Sequence, residues 1–459
     1  MTSPRIVIIG GGPTGLGAAH RLTELKNENW TLLERSAKFG GLASTAIDDQ
    51  GFLWDLGGHV LFSHYEYFDT LLDDLVGDDW FHHVREAWIW THNRWIPYPF
   101  QNNLWRLPEE DRKRCIDGLT ELQQSPSETT INTFDDWITC SLGEGIADVF
   151  MRPYNFKVWA FPPDQLSAEW VGDRVATSNL EKLIHNTKTQ TDDVGWGPNS
   201  TFRFPASGGT GRIWSALASK LPQENMKAST TVTSINPHEK TVCCQNGGKF
   251  SYDALISTIP MNELVTLLTD SPMFEGKSEA FRWSSTHVIG IGMKGTPPKD
   301  LKQKCWMYYP EPDVPFYRVT IFSNYAPANV PSPGEQWSLL CEISESEIKP
   351  VNHENILAET IQGLQQVGLI NNPDEIISRW KTFLPYGYPT PFLGRDELIE
   401  SIEPTLRSMK IYSRGRFGGW KYEVSNQDHS LMQGVEAIDN ILFKEDEITY
   451  FSPKTVNGR

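Results

Sequence analysis

The sequence predicts an α/β fold in which a nucleotide-binding βαβ unit opens the chain and a helical domain and an antiparallel β-sheet domain follow. Three observations support this prediction: an apolar strand that runs into a glycine turn and a helix, a second strand that ends on an acid, and a repeat of the strand–glycine–helix order near the end. With 459 residues the chain is too long for one core, so we expect two or three domains.

The first element is the strand Val7–Ile9, whose uninterrupted apolar run is typical of a strand buried on both faces. Gly10, Gly12 and Gly15 follow with the spacing of a dinucleotide-binding turn. One glycine makes the turn, one lets a pyrophosphate approach the backbone, and one lets helix and strand pack closely. The helix that opens over Gly17–Leu22 then directs its positive end and free N–H groups at the phosphates.

The second strand, Trp30–Glu34, ends on an acid at the distance expected for a contact with a ribose hydroxyl. A glycine turn without a ligand, followed by a solvated acid at the strand end, is the alternative. We favour the binding site because that alternative requires the three placed glycines and Glu34 to coincide by accident.

Two further glycine pairs, Gly40–Gly41 and Gly57–Gly58, follow soon after this unit. Such turns bring backbone close to a flat ligand, and a domain that binds only NAD does not need them. Their spacing is similar to that of FAD enzymes of the large amine-oxidase-like class. We therefore predict FAD, with Gly41 and Gly58 among the residues that bind it.

The next stretch, residues 65–183, is expected to be mainly helical, with one short hairpin formed by Trp88–Trp90 and Arg94–Ile96. A strand-rich region begins at Thr201. Within it we expect Thr230–Ile235 and Ala254–Thr258 to be strands that return to the nucleotide-binding domain.

Apolar strands dominate from His287 to Ser344, and Ile356–Gln366 has the periodicity of an amphipathic helix. Near the end, the strand and glycine turn of Ile411–Gly419 and the helix Asp428–Asn440 repeat the opening order, so both chain ends contribute to one domain. The domains, with approximate boundaries, are an FAD-binding Rossmann-like domain in three parts (1–64, 201–270 and 401–459), a mainly helical substrate domain with mobile loops (65–200) and a β-sheet substrate domain (271–400).

Composition excludes several classes of function. The net charge of -17 argues against a nucleic-acid partner. No apolar run reaches the ~18–20 residues of a spanning helix, so no membrane role is expected. The chain starts directly in a strand, which predicts no signal peptide and a cytoplasmic protein. The six cysteines have neither disulfide-like nor metal-ligand spacing, so we expect reduced thiols and no metal.

Several motifs together resemble the UDP-galactopyranose mutases of the eukaryotic, fungal type, and the similarity covers nearly the whole chain. The segments that carry it are Gly57–His64, Pro97–Asn103, Met151–Trp159, Arg414–Ser430 and Val456–Arg459. The resemblance implies a mutase or amine-oxidase-like flavoprotein architecture. It also implies a non-redox isomerase that interconverts UDP-galactopyranose and UDP-galactofuranose through a covalent adduct between the sugar and N5 of reduced flavin.

The same resemblance implies FAD that is active when reduced, NADPH or NADH as the reductant, and a small-molecule UDP-sugar as substrate. It is also compatible with a homo-oligomer. It assigns catalysis to Arg174 and Arg318, which grip the diphosphate, and to His59 beside the flavin. Arginine suits a diphosphate because it is planar, bidentate and always charged. The alternatives are ion pairs for the arginines and a core or loop position for His59.

By resemblance, the flavin also contacts Arg85, Val232, Arg416 and Gln427. The substrate-binding residues implied in this way are Tyr98, Gln101, Phe150, Tyr154, Asn155, Trp159, Asn199, Trp306, Tyr308, Tyr388, Tyr422 and Asn426. The spacing of Phe150, Asn155 and Trp159 equally fits one face of a helix in a core.

Three positions depart from the family pattern. Ala87 replaces a serine near the flavin edge, Ser207 replaces a basic residue, and Arg212 replaces a small one. Two other functions therefore stay open: a diverged member acting on another nucleotide sugar or a secondary metabolite, and an FAD oxidoreductase of the amine-oxidase type. The stretch Lys188–Gly195 is polar, and we expect it to form part of a lid that closes over UDP.

Overall fold

The structure is a computed structural model that describes residues 3–124, 130–172, 179–194 and 200–458. The strands are β1 Ile6–Ile9, β2 Trp30–Leu33, β3 Thr45–Ile47, β4 Leu53–Asp55, β5 Trp80–Val84, β6 Ala87–Thr91, β7 Arg94–Pro97, β8 Thr201–Pro205, β9 Met226–Lys227, β10 Val232–Asn236, β11 Thr241–Cys244, β12 Lys249–Ser251, β13 Ala254–Ser257, β14 Trp283–Lys294, β15 Trp306–Tyr308, β16 Arg318–Ile321, β17 Gln336–Glu345, β18 Ile376–Pro389 and β19 Ile411–Ser413. The helices are α1 Pro13–Glu24, α2 Glu66–Val76, α3 Glu109–Gln124, α4 Phe134–Ile146, α5 Arg152–Trp159, α6 Leu180–Thr189, α7 Gly211–Lys220, α8 Met261–Leu267, α9 Ile356–Gln366, α10 Arg395–Glu400, α11 Glu403–Ser408, α12 Gln427–Phe443, α13 Ile448–Phe451 and α14 Pro453–Asn457.

A parallel sheet with the order β19-β13-β1-β2-β9 forms the nucleotide-binding part of the molecule. Its strands come from the start, the middle and the end of the chain. Every residue of β1 is buried, as expected for a strand covered on both faces. Helices α1 and α12 pack against each other so closely that a Cβ at Gly434 would lie 2.0 Å from the carbonyl oxygen of Thr14.

A second, larger sheet has the order β18-β14-β17-β16-β15-β6-β7. Its pairs are antiparallel except for β15 and β6, which run parallel. Alternate residues of each strand face opposite sides. Val319, Cys341 and Ile343 lie in an apolar core with α9, whereas Arg318 and Glu342 point to the other side, where the candidate site lies.

The structure confirms the fold class and several local predictions. The hairpin of β6 and β7 forms, and α9 covers the predicted residues Ile356–Gln366. The strand Val232–Asn236 also forms. It pairs with β11 in a separate antiparallel sheet, while Ala254–Ser257 does join β1. The domain boundaries stay a prediction.

Helix α1 begins at Pro13, four residues before the predicted start at Gly17. Proline is favoured in the first turn of a helix because its missing N–H needs no partner there. Within the part of the chain that the structure describes, none of the helices combines the length and apolar character needed to cross a bilayer.

Candidate active site

The glycine turn after β1 forms a cradle of exposed backbone. Gly10 has φ +98°, a conformation that favours glycine, and a Cβ at Gly15 would lie 1.9 Å from the carbonyl oxygen of Gly10. Gly12 caps α1 without a side-chain hydrogen bond, and the nearest atom to a Cβ there is the Cα of Gly41, at 3.8 Å. The first turn of α1 therefore offers backbone N–H groups beside open space, which suits a pyrophosphate.

The acid at the end of β2 is part of this cradle rather than solvated. Glu34 is buried, and its two carboxylate oxygens each accept a hydrogen bond of 2.7 Å, one from the N–H of Gly11 and one from the N–H of Ser36. The N–H of Thr230 donates to the carbonyl oxygen of Glu34 at 2.8 Å, which brings Val232 to the same end of the sheet.

The second glycine pair lies against the large sheet. A Cβ at Gly58 would lie 2.9 Å from Oγ1 of Thr320 and 3.5 Å from Nε1 of Trp306. Both atoms are buried and have no hydrogen-bond partner among the described residues, and the same holds for Nδ1 of His59. Unpaired buried polar atoms are costly in a folded protein, so three of them in one place indicate a polar ligand. The site therefore fits a flavin.

Burial lowers the pKa of His59 to about 4, against the opposing influence of the Glu342 carboxylate, and the charges of Arg416 and Arg318 lower it further. The imidazole is therefore neutral at physiological pH in the structure. A neutral ring carries one N–H donor and one acceptor nitrogen, so His59 can exchange a proton with a neighbouring group.

Arg318 sits on β16 directly opposite Glu342 on β17. Its guanidinium forms a two-point ion pair with that carboxylate through Nε and through Nη2, the latter at 2.7 Å from Oε1. Burial disfavours the charge on Arg318, but Glu342 outweighs this and raises its pKa well above the ordinary value. The predicted ion-pair alternative is thus present, and it orients Arg318 on the face of the sheet that also holds Thr320.

Arg416 differs because no carboxylate pairs with it among the described residues. It donates to the carbonyl oxygen of Gly387 at 2.9 Å and to Oγ of Ser425 at 2.9 Å, and it lies 4.9 Å from the ring centre of Tyr388. Burial lowers its pKa. A shielded cation held only by neutral groups is stabilised by an anionic ligand, so Arg416 suits a phosphate.

An aromatic wall surrounds these arginines. The ring of Tyr308 lies 5.7 Å from that of Tyr98 and 5.3 Å from that of Tyr154. The ring of Trp159 lies 5.7 Å from that of Tyr388 and 4.7 Å from that of Tyr422. The structure therefore brings these predicted substrate residues together beside Arg318 and Arg416.

Two predicted pocket residues are also core residues in this structure. Phe150 and Trp159 are each 2% exposed, and Phe150 stacks on the rings of Phe100 and Tyr154. The side-chain amide of Asn155 donates to the carbonyl oxygen of Met151 at 2.8 Å. The arrangement matches the core interpretation of their spacing, and their predicted contact with uridine stays a prediction.

The remaining predicted residues lie on the large sheet, in the helical region and at the start of α12. The guanidinium of Arg85 lies 4.7 Å from the ring centre of Trp306, and Gln101 is buried next to Phe100. Asn426 caps the start of α12, and Gln427 accepts a hydrogen bond of 2.7 Å from Nε1 of Trp214.

Arg174 and Asn199, which are also predicted site residues, lie outside the described residues. The described part of the predicted lid is anchored. Asp192 forms a two-point ion pair with Arg106 at 2.7 and 2.8 Å, and the N–H of Asp193 donates to Oδ1 of Asn103 at 2.8 Å. The polar composition of this stretch did not reveal these contacts, because the partners lie about 90 residues away.

The structure shows the contacts of the three residues that depart from the family pattern. Ala87 is buried in β6 and pairs with Trp306 across the sheet. Arg212 donates to Oγ of Ser207 at 2.8 Å and forms an ion pair with Asp79. The cation of Arg212 therefore lies beside the position where the family pattern has a basic residue.

Sequence analysis missed Glu342, which is 3% exposed and joins Arg318, Tyr317 and the Gly57–Gly58 turn. A single acid inside the run Trp337–Ile343 is a usable signal, because an acid in a buried strand requires a partner. The partner lies on another strand, so its identity could not be read from spacing.

Comparisons with known proteins identify the family of this chain. The profile of the flavin containing amine oxidoreductase family matches residues 13–419. The crystal structure of reduced UDP-galactopyranose mutase is 50% identical, with a TM-score of 0.97, over 100% of this chain and 98% of that chain. The chain belongs to the flavin-containing amine oxidoreductases and, within them, to the UDP-galactopyranose mutase family.

More distant structures share the fold alone. A protein from Exiguobacterium sp. 255-15 that was assigned as a protoporphyrinogen oxidase is 18% identical, with a TM-score of 0.73, over 97% of this chain and 100% of that chain. Putrescine oxidase bound to putrescine is 16% identical, with a TM-score of 0.66, over 96% of this chain and 99% of that chain. The chain is thus a flavoprotein enzyme, and the prediction of FAD is confirmed.

Proposed function

We propose that this enzyme interconverts UDP-galactopyranose and UDP-galactofuranose without net oxidation or reduction, and that it does so in the cytoplasm, where its six free cysteines stay reduced. The observation that carries the activity is the shielded Arg318, held by Glu342 beside the Gly57–Gly58 turn and His59 and within the aromatic wall. An amine as substrate needs no buried cation on this side of the flavin. A sugar nucleotide does, because its leaving group is a diphosphate.

Arg318 would bind the diphosphate of UDP, since a planar guanidinium can donate two parallel hydrogen bonds to phosphate oxygens. Glu342 would keep the fork of Arg318 in one orientation. We expect Arg174 to add a second cation there, as the family resemblance implies, and Arg416 to bind the pyrophosphate end of FAD. Fixed positive charge stabilises the diphosphate as it gains negative charge on departure, and it keeps UDP in place for its return.

The glycine cradle and Glu34 would bind the pyrophosphate and the ribose of FAD. When bound and reduced, with NADPH or NADH as electron donor, FAD supplies a nucleophile that allows the anomeric carbon to exchange its bond to UDP. Trp306, Thr320 and His59 would orient the ring system through their unpaired polar atoms. His59, neutral in this setting, can accept or return a proton as the sugar ring opens and closes.

The aromatic wall would exclude water from the reacting carbon. Tyr98, Tyr154 and Tyr308 surround the space next to Arg318, and Tyr388 and Tyr422 surround the space next to Arg416. Water is the competing nucleophile in any reaction that releases UDP from a sugar, so its exclusion favours ring exchange over hydrolysis.

The direct test is to reduce the purified flavoprotein with dithionite, add UDP-galactofuranose and separate the products by chromatography. UDP-galactopyranose should accumulate, since the six-membered ring dominates at equilibrium. A different UDP-sugar that turns over while UDP-galactofuranose does not would identify a diverged member of the family. Reductant-dependent oxidation of an amine would instead identify an oxidase.

A further inference from the structure

Three metal-ligating side chains meet on the face of the large sheet that lies away from the candidate active site. Nε2 of His287 lies 2.8 Å from Oε2 of Glu345, and Nε2 of His353 lies 2.8 Å from the same oxygen and 3.0 Å from Oε1. One ligand atom from each residue lies within 4.8 Å of the others. The proposed catalysis uses none of these residues.

The strand geometry explains why two of these groups are fixed. His287 on β14 is paired with Ile343 on β17, so Glu345 is its diagonal neighbour two residues further along the same face. Both strands are held on each side by the sheet. Their relative position is therefore set by the backbone and does not depend on the hydrogen bond between them.

The third group, His353, comes from the segment that leads from β17 to α9. Its side chain is 51% exposed, that of Glu345 is 17% exposed, and that of His287 is 5% exposed. The cluster is therefore anchored in the sheet and open to solvent through the imidazole of His353, which gives an ion a path of entry. The ring of Phe383 lies 4.8 Å from that of His287 and 5.0 Å from that of His353 and covers one side.

We propose that His287, Glu345 and His353 form a Zn²⁺ site with two imidazole nitrogens, one carboxylate oxygen and one position open to water. This ligand set is one that zinc adopts when it keeps a solvent position. Zinc bonds of about 2.0–2.1 Å in a tetrahedron place ligand atoms about 3.3 Å apart. The two contacts with Glu345 need to open by about 0.5 Å, the two imidazole nitrogens, which lie within 4.8 Å, need to approach by up to about 1.5 Å, and the exposed His353 can supply both movements.

The expectation of no metal came from the spacing of the cysteines, whereas this cluster joins Glu345 and His353, eight positions apart, to His287, which lies 58 positions before Glu345. One cation opposes the binding of zinc here. Lys349 interacts electrostatically with both Glu345 and His287, and its Nζ donates to the carbonyl oxygen of Ser344. Removing the charge of Lys349 should raise the affinity for zinc, whereas removing a ligand should lower it. The two kinds of variant therefore test the site in opposite directions.

The test uses the FAD-containing enzyme after removal of metals with a chelator and desalting. ZnCl₂ is titrated by equilibrium dialysis, and bound zinc is measured by elemental analysis. Wild type should bind one equivalent of zinc. His353→Gln should bind zinc at least about tenfold more weakly than wild type, and Lys349→Met should bind it more tightly. The matched control is His238→Gln, an exposed histidine elsewhere on the surface, which should behave as wild type.

Thermal unfolding gives an independent readout. Zinc at a hundredfold excess over the wild-type Kd should raise the Tm of wild type and of His238→Gln by about 3 °C, and it should raise the Tm of His353→Gln by at most about half as much. Equal zinc binding and equal Tm shifts in wild type and His353→Gln would overturn the proposal and leave a hydrogen-bonded triad. Neither readout depends on turnover of a sugar nucleotide.

Discussion

Arg318 and Glu342 must be considered as one unit when either is mutated. The carboxylate is buried and makes its ion pair with this arginine, so Arg318→Ala leaves a buried charge without compensation. Breaking a buried pair in this way costs about 3–5 kcal/mol of stability. Loss of activity in Arg318→Ala would therefore combine loss of a phosphate contact with loss of local structure, and a more conservative change is needed to separate the two.

The variant Arg318→Lys keeps the charge but cannot form the two-point fork. A charge-assisted contact to a phosphate contributes about 1.5–3 kcal/mol, so kcat/KM for UDP-galactofuranose should fall by roughly tenfold to a hundredfold. FAD content should stay at the wild-type value, and Tm should fall less than in Arg318→Ala. Arg379→Lys, on an exposed position of β18, is the matched control. Wild-type kcat/KM in Arg318→Lys would show that Arg318 serves only as the partner of Glu342.

His59 makes a second residue-scale prediction, on pH. Its pKa falls to about 4 in the folded protein, against 6.5 for the free side chain. Between these values the unfolded chain binds the proton more readily, so the contribution of His59 to stability is lost as pH falls from 6.5 to 4. The difference corresponds to about 3 kcal/mol, an order-of-magnitude figure.

The measurement is the Tm of the FAD-free protein from pH 7.5 to pH 4.5, for wild type and for His59→Gln. Wild type should lose more stability than the variant below pH 6.5. Buried Asp55, whose pKa burial raises to about 7, acts in the opposite direction in both proteins, so the difference between them isolates His59. Parallel curves for the two proteins would mean that His59 titrates normally.

At the scale of elements, two glycines at the start of α1 should differ in role: Gly15 should matter for folding and Gly12 for cofactor binding. A Cβ at Gly15 meets the carbonyl oxygen of Gly10, whereas a Cβ at Gly12 meets nothing closer than 3.8 Å, and φ of Gly12 is -82°. Gly12→Ala should therefore fold with a Tm within about 2 °C of the FAD-free wild type, yet bind FAD at least about tenfold more weakly, because a methyl group occupies the path of the pyrophosphate.

The matched variant Gly15→Ala should instead lower the Tm of the FAD-free protein by several degrees, since backbone must shift to admit the methyl group. FAD affinity is measured by flavin fluorescence during titration of the FAD-free proteins. Full FAD affinity in Gly12→Ala would place the pyrophosphate away from the first turn of α1.

The elements that could be predicted are those whose signal is local. The β1–α1–β2 unit, the hairpin of β6 and β7, and α9 follow from periodicity and turn residues within about ten positions. The partner strand of Val232–Asn236, which is β11, could not be predicted in this way, because a strand pattern does not identify its partner. Asp192 and Arg106 illustrate the same limit for side chains, since their ion pair spans 86 positions.

For the site, motif resemblance went further than physical chemistry alone. From residue types alone, Arg318 could either bind a phosphate or form an ion pair. The structure shows the ion pair, with Glu342, on the face of the sheet where a phosphate could also be bound. Phosphate binding by Arg318 therefore stays a prediction. Glu342 lay outside every motif considered, so only the sheet register revealed it.

At the scale of the whole molecule, the proposed function divides the reaction between the two sheets. The parallel sheet, assembled from three parts of the chain, would bind FAD at its glycine turn, and the large sheet holds Arg318, Thr320 and Trp306. The reacting carbon would lie at their junction, within the aromatic wall. An enzyme built this way needs electrons only to prepare the flavin, because the substrate and the product of ring exchange have the same oxidation state.

We therefore predict that the oxidised enzyme is inert and that one anaerobic reduction supports many turnovers. A nucleophile is available only on the reduced ring, and the electrons stay with the flavin through each cycle. The measurement follows product by chromatography and flavin absorbance together, after titration with one equivalent of dithionite and removal of oxygen. At least about a hundred product molecules per flavin should form while the absorbance stays that of reduced flavin, and admitting air should stop the reaction as the yellow colour returns. Product formed in proportion to the reductant consumed, or equal rates before and after oxidation, would contradict a non-redox isomerase.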